Sequence, residues 1–384
     1  MIKIKITYLL TIFFSILLLF IGHKVAVKDM TNFQNYSQEI VKAKVLTVLD
    51  REAGEIKSDN EDENGVSTLV IGDRIIFEAK ITEGLRKGEI VKAIQSMNSF
   101  IQGSQKEVYK NAPILLIFTN DEWYFNGFNR INALLVLGGL FVFCLILFGG
   151  MKGVNTIISL SLTCSAIFIV LIPWILSGKN IYIMSIIVCI YVITMMILLV
   201  IGFNKKAIAA MAGCAAGVII AGVIAVIMDK ALYLTGIIDE HSRYLINLPG
   251  DININLNAII FAGILIGAMG AIMDVAVSIA SSLWEIKEKA KTVTFKELFR
   301  SGITIGRDIM GSMADTLILA YIGTSLTVVL ILTVFSSSLL GLFNSEMMAV
   351  EILQAMAGSL GILFSMPLTA LFCSVIYLKE KNKE

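Results

Sequence analysis

Three acidic side chains stand in stretches that hydrocarbon would reject them from. Asp274 lies well inside NAIIFAGILIGAMGAIMDVAVSIASS, Asp315 inside DIMGSMADTLILAYIGTSLTVVLILTVF, and Glu351 opens VEILQAMAGSLGILFSMPLTALFCSVIYL with Gln354 one turn on. A charged group at the centre of a membrane helix costs about 2.5–3.5 kcal/mol on insertion scales and is generally kept for an ion or substrate pathway. The chemistry these types allow is binding or exchange of a cation or proton at Asp274 and Glu351, with Asp315 and Gln354 adding oxygen ligands. Spacing supports a shared site. Gly263, Gly267, Gly270, Asp274 and Ser281 fall on one helical stripe, and Glu351, Gln354, Gly358, Gly361 and Ser365 on another. Small residues let helices approach closely, so these glycines and Gly311 are expected to serve packing or gating. Arg307 and Asp308, just before the second stretch, are expected at a cytoplasmic mouth.

The elements that must position these groups are membrane helices. With 384 residues, 57% hydrophobic and 16% charged, and a mean hydropathy of +0.82, the chain is too apolar for an ordinary soluble enzyme. The net charge of +1 supplies no basic field, so nucleic acid is not an expected partner. Cys144, Cys164, Cys189, Cys214 and Cys373 all lie in apolar runs without a paired motif, and His23 and His241 are far apart. No metal, cofactor, zinc site or hydrolase triad is expected.

Read in order, residues 1–22 form an uncleaved N-terminal anchor: lysines precede an apolar core, and no small-x-small cleavage site follows. Residues 23–130 have the composition of a small extracytoplasmic β-rich domain. Alternation around Val41, Ala43 and Val45 predicts strands, as do the runs STLVIGDRIIFEAKI, GEIVKAI and PILLIFT. An oligonucleotide-binding-fold-like barrel or a sandwich fits them. Residues 131–384 form a seven-helix transmembrane domain. Four spans are expected near 131–150, 154–174, 181–202 and 207–228, with Gly149 and Gly150 marking a broken end and Gly213 and Gly217 a close contact. A polar loop follows, with an outer hairpin ending at Pro249 and Gly250 as one reading. Next comes the Asp274 span. Thr294 and Glu297 form a capping box that predicts an interfacial helix near 292–304. The fold class is thus an all-α polytopic bundle of about eight transmembrane helices with a small β domain outside, in a cell membrane with both termini cytoplasmic.

The segments GAIMDVAVSIASSLWEI, FKELFRSGITIGRDIMGSMADTLILAYIG and EILQAMAGSLGILFSMPLTA resemble the bacterial YibE/F-like membrane protein family. The resemblance is strong over residues 257–370. It implies a multipass membrane protein, often suspected of transport, in which Asp274, Arg307, Asp308, Gly311, Glu351, Gly358 and Gly361 hold the motif's polar and small positions. Asp315 stands where the family more commonly carries asparagine, which implies that the position needs a side-chain oxygen more than a charge.

The functional expectation is a permease or ion-coupled transporter, with the lipid bilayer as its environment and a small solute or cation as cargo. The alternative is a membrane scaffold or sensor whose outer domain binds a protein partner. A purely structural role for the acids, paired with Arg307 or lysines, is a further alternative. An enzyme is not expected: two aspartates on neighbouring spans suggest a protease dyad, but Gly-Ser-Met-Ala-Asp is not Gly-x-Gly-Asp and Ser-Met-Pro-Leu-Thr lacks Pro-Ala-Leu.

Overall fold

A computed structural model describes residues 2–28, 39–61, 67–98, 106–119, 121–246, 254–290, 292–335 and 338–378. The Pro249–Gly250 hairpin end and the C-terminal lysine tail lie outside these residues. Two compact units emerge, Met1–Thr31 with Leu145–Glu384, and Asn32–Cys144.

In the second unit, five strands close into a barrel in the order β1-β2-β3-β5-β4: β1 (Ile40–Glu61), β2 (Ser67–Ile81), β3 (Ile90–Asn98), β4 (Pro113–Thr119) and β5 (Glu122–Phe128). β1 pairs antiparallel with both β2 and β4, and β3 meets β5 in parallel. Alternate residues point inward, as a pleated strand requires: Val41, Ala43, Val45, Ile75, Phe77, Ala79, Ile81, Ala93, Ile114 and Leu116 are buried. Buried Gln95 is satisfied by main chain, its Nε2 donating to Lys106 O at 3.1 Å and its Oε1 accepting from Val108 N at 2.9 Å. The closed order decides for a barrel over a sandwich. Strand β5 was not expected, because its run EWYFNGF is aromatic rather than alternating.

The other unit is a helical bundle: α1 (Ile2–Val27), α2 (Ile131–Ser165), a π-helical turn Ala166–Leu171, α3 (Ile172–Leu176), α4 (Ile181–Ile201), α5 (Lys205–Ala231), α6 (Glu240–Ile246), α7 (Leu256–Lys289), α8 (Phe295–Thr324), α9 (Leu326–Phe335), α10 (Leu339–Asn344) and α11 (Glu346–Leu378), with the start of α2 assigned to the barrel unit. Among the described residues six helices are long and apolar enough to cross a membrane, and the bent pair α8–α9 makes a seventh. One of the six, Ile131–Leu176, has 46 residues. At 1.5 Å per residue that is roughly 69 Å, more than twice the hydrocarbon thickness. It is interrupted at Gly150, whose φ of 53° and ψ of −132° are non-helical. A Cβ on Gly153 would overlap the Leu145 carbonyl and lie 2.8 Å from its carbon, although eight residues of straight helix would separate them by about 12 Å. The chain therefore turns sharply at the expected glycine pair.

Three helix starts are capped by amides. Asn180, Asn204 and Asn255 each accept a hydrogen bond from the main-chain N–H three residues on, at 3.2, 2.8 and 3.1 Å. Helix α1 runs past residue 22 to Val27, with the His23 ring donating to Ile169 O at 2.9 Å and Ser15 bonded to Tyr191. The predicted capping box at Thr294 and Glu297 is present, but its helix does not end near residue 304. It continues as α8 to Thr324, because nothing between Ser301 and Asp315 breaks it and Gly302 and Gly306 are themselves packed.

Candidate functional site

Helix α11 packs against α5, α7 and α8. Its crossing with α5 is made by the residues the spacing singled out. A Cβ on Gly213 would lie 2.7 Å from Thr369 Cβ, and one on Gly217 2.7 Å from Ser365 Cβ. On the α11 side, a Cβ on Gly361 would lie 3.0 Å from Ala221 Cβ, while Gly358 faces α8, where a Cβ would lie 2.8 Å from Leu317 Cδ2. Ser365 Oγ donates to Gly213 O at 3.3 Å in this buried seam. Gly358 and Gly361 are packing positions.

The stripe on α7 behaves differently. A Cβ on Gly263 or Gly270 would meet nothing within 4 Å, and only Gly267 is approached, by the Tyr321 hydroxyl. Asp274 is exposed on the same stripe, seven residues or about 10 Å along the axis from Gly267. The bundle core is supplied by the opposite side of α7, where Ile264, Leu265, Ala268, Ile272, Ala276 and Ile279 are buried. The expectation that Gly263 and Gly270 pack helices together is therefore corrected. Glycine offers no apolar area to bury, and the bulky side chains take the inner face.

Helix α8 divides its predicted residues in the same way. Inward, a Cβ on Gly302 would lie 2.6 Å from Ala370 Cβ and one on Gly306 2.9 Å from Met366 Sδ. Arg307, Asp308, Gly311 and Asp315 are exposed on the other side, and Gly311 has nothing within 4 Å, so it too is not a packing glycine here. Asp315 does not share a face with the residues that touch α7 and α11. The 28-residue span expected around it is instead broken. α8 and α9 meet at 59° across Ser325. Ser325 Oγ is buried and finds no hydrogen-bond partner, while Thr324 Oγ1 donates back to Tyr321 O at 2.9 Å. Within this break the Tyr321 hydroxyl sits over Gly267 and within electrostatic range of Glu351, which is half-buried on α11 with Gln354.

The structure thus gathers Glu351, Tyr321 and Gly267 at the end of a broken helix, leaves Asp274 on the open stripe and turns Asp315 away. Among the described residues Asp274, Asp315 and Glu351 form no ion pair. Nor do any three acidic, histidine or cysteine side chains come close enough to hold a metal.

Residues 137–379 match the family described as YibE/F-like protein. The chain belongs to the YibE/F-like family. The matched region takes in α4 to α11 whole and leaves the barrel strands outside it. No curated protein and no solved structure matches the chain.

Three residues escaped the sequence reading. Tyr321 and Ser325 lie in a run apolar enough to read as one uninterrupted span, although it contains the breaker triplet Gly323-Thr324-Ser325. Glu346, five residues before Glu351, accepts hydrogen bonds from Thr235 N at 2.6 Å, Thr235 Oγ1 at 2.8 Å and Gly236 N at 2.7 Å. It ties the middle of the α5–α6 connection to the start of α11.

Proposed function

We propose that this YibE/F-like protein is a permease or ion-coupled transporter of the bacterial cell membrane, moving a small solute or cation. Counting the two halves of Ile131–Leu176 as separate crossings and α8–α9 as one gives eight spans, with both termini cytoplasmic by the lysine distribution and the barrel outside. The observation that carries the reading is the α8–α9 break. Discontinuous helices leave main-chain carbonyls without helical partners, and ion carriers use such half-helix ends together with nearby carboxylates. Here the break leaves a buried Ser325 hydroxyl without a hydrogen-bond partner one turn from Tyr321, which lies within electrostatic range of Glu351. Asp274 on the open glycine stripe is the second exchange group and Gln354, one turn from Glu351, an accessory oxygen donor, while Asp315 on the outer side of α8 stands apart from them. Proteoliposome flux under imposed sodium and proton gradients tests it, comparing wild type with Asp274→Asn and Glu351→Gln. Full flux of every tested solute in both variants would remove the coupling role.

A second reading, a scaffold or sensor, draws on the barrel. It is a compact unit of its own, and its β2–β3 turn carries fully exposed Leu85 beside Arg86, whose guanidinium lies 5.3 Å from the Phe118 ring centre and 5.5 Å from that of Trp123. An exposed apolar tip next to a fixed cation suits a protein partner. Deleting residues 30–125 separates the readings: a carrier keeps residual flux, a sensor loses all response.

A further inference from the structure

Where α5 ends and α7 and α11 begin, the bundle holds a second set of oxygen atoms remote from Tyr321 in the chain. A cavity of about 10 Å3, roughly the room one water-sized sphere needs, lies between α4, α5, α7 and α11. Its walls are apolar, Phe261, Ile264 and Leu353 among them, except for Tyr182, Asp229 and Asn257.

The Asn257 amide fixes the chemistry. Its nitrogen donates to Leu234 O at 2.9 Å, and Asp229 shares the cavity wall with it. Leu234 O is an acceptor, so the amide cannot be turned round, and Oδ1 is left buried with no hydrogen-bond donor. A buried oxygen in that condition is costly. Protonating Asp229 would add a single O–H donor, whereas in the ionised form the carboxylate and Oδ1 are two acceptors that face one cavity together. A cation satisfies both at once, with the Tyr182 hydroxyl, which lies within electrostatic range of Asp229, as a third oxygen. A single carboxylate and room for one water-sized body match a small monovalent ion. Calcium takes six to eight oxygen ligands, and magnesium demands a near-ideal octahedron and keeps several waters.

The site also has a cover. Gly236, at φ +83°, lies so close to α7 that a Cβ there would be 2.6 Å from Asn257 Oδ1, and Glu346 holds this turn through its three hydrogen bonds. We propose that Tyr182, Asp229 and Asn257 form a binding site for one sodium ion, closed by the Thr235–Gly236 turn that Glu346 pins. The assignment does not depend on the protein being a carrier.

The test is thermal unfolding of the full-length purified protein in sodium, potassium or choline chloride at constant ionic strength, together with equilibrium binding of radioactive sodium. The expected result is a saturable, sodium-specific rise of about 2–4 °C at tenfold above half-saturation, with about one sodium bound per chain. Asp229→Asn should abolish both, Tyr182→Phe should weaken binding several-fold, and Glu285→Gln, on an exposed part of α7, should change neither. If Asp229→Asn does not fold, wild-type stoichiometry and Tyr182→Phe decide the matter. Equal stabilisation by all three salts, no sodium bound by wild type, or sodium binding retained in Asp229→Asn would overturn the proposal and assign the cavity to water. Sodium binding without any flux would leave this site standing while sinking the transport reading.

Discussion

Ser365 Oγ donates to the Gly213 carbonyl at 3.3 Å, joining α11 to α5 at a point where neither backbone leaves room for another carbon. Gly213→Ala forces a methyl group to within 2.7 Å of Thr369 Cβ and 2.9 Å of its Cα, so main chain must move. Overpacking of this kind costs about 1–3 kcal/mol. Thermal unfolding in detergent should show that loss, whereas Gly270→Ala and Gly311→Ala, with open space around them, should be neutral or stabilising by up to about 1 kcal/mol from helix propensity. Equal effects at all three positions would contradict the packing described.

Tyr321 and Gly267 should be coupled. The Tyr321 hydroxyl is the atom an alanine methyl at position 267 would strike, while the ring carbon behind it stands at 3.4 Å. Gly267→Ala is therefore expected to destabilise the wild type and to be tolerated in a Tyr321→Phe background. A double-mutant cycle on unfolding should return an interaction energy of about 1 kcal/mol. Additive effects would place the hydroxyl elsewhere.

Glu346→Ala removes the acceptor of three hydrogen bonds from Thr235 and Gly236. A loss of about 1–3 kcal/mol is expected locally, read as faster amide exchange over residues 234–238. Exchange in the barrel should be unaltered.

Asp239 accepts hydrogen bonds from the Ser242 hydroxyl and the Ser242 main chain, which hold its carboxyl below the usual carboxylate range. A folded value depressed in this way contributes stability above the unfolded pKa, near 3.9, and loses it as pH falls through the folded value. The Ser242 amide resonance should titrate with a midpoint below about 3.9, and Asp239→Asn should abolish that titration. A midpoint at or above the ordinary value would mean the cap is not formed.

Much of the architecture was legible because it rests on period and length. Val41, Ala43 and Val45 announced a strand, Thr294 and Glu297 a helix start, and Gly358, Gly361 and Ser365 a contact seam, since each depends on its own neighbours in sequence. The facing of α7 was not legible. A stripe of glycines with an acid has the same spacing whether it is buried or open, and the outcome turned on Ile264, Leu265 and Ile272 filling the core instead. The α8–α9 bend was hidden for a related reason: Leu326–Phe335 is apolar enough to extend any hydropathy window across Ser325. Asp229 and Asn257 were obscured by lying at element ends, where polar residues are ordinary, and only their shared cavity sets them apart.

The asparagine caps have a bearing on how such a bundle tolerates acid. Amides carry no proton equilibrium in the physiological range, so the starts of α4, α5 and α7 keep their anchoring whatever the acidity on either side of the bilayer. The start of α8 and the Thr235–Gly236 turn, held by the carboxylates of Glu297 and Glu346, lack that indifference, so acid should loosen those two places before it loosens the three amide-capped rods.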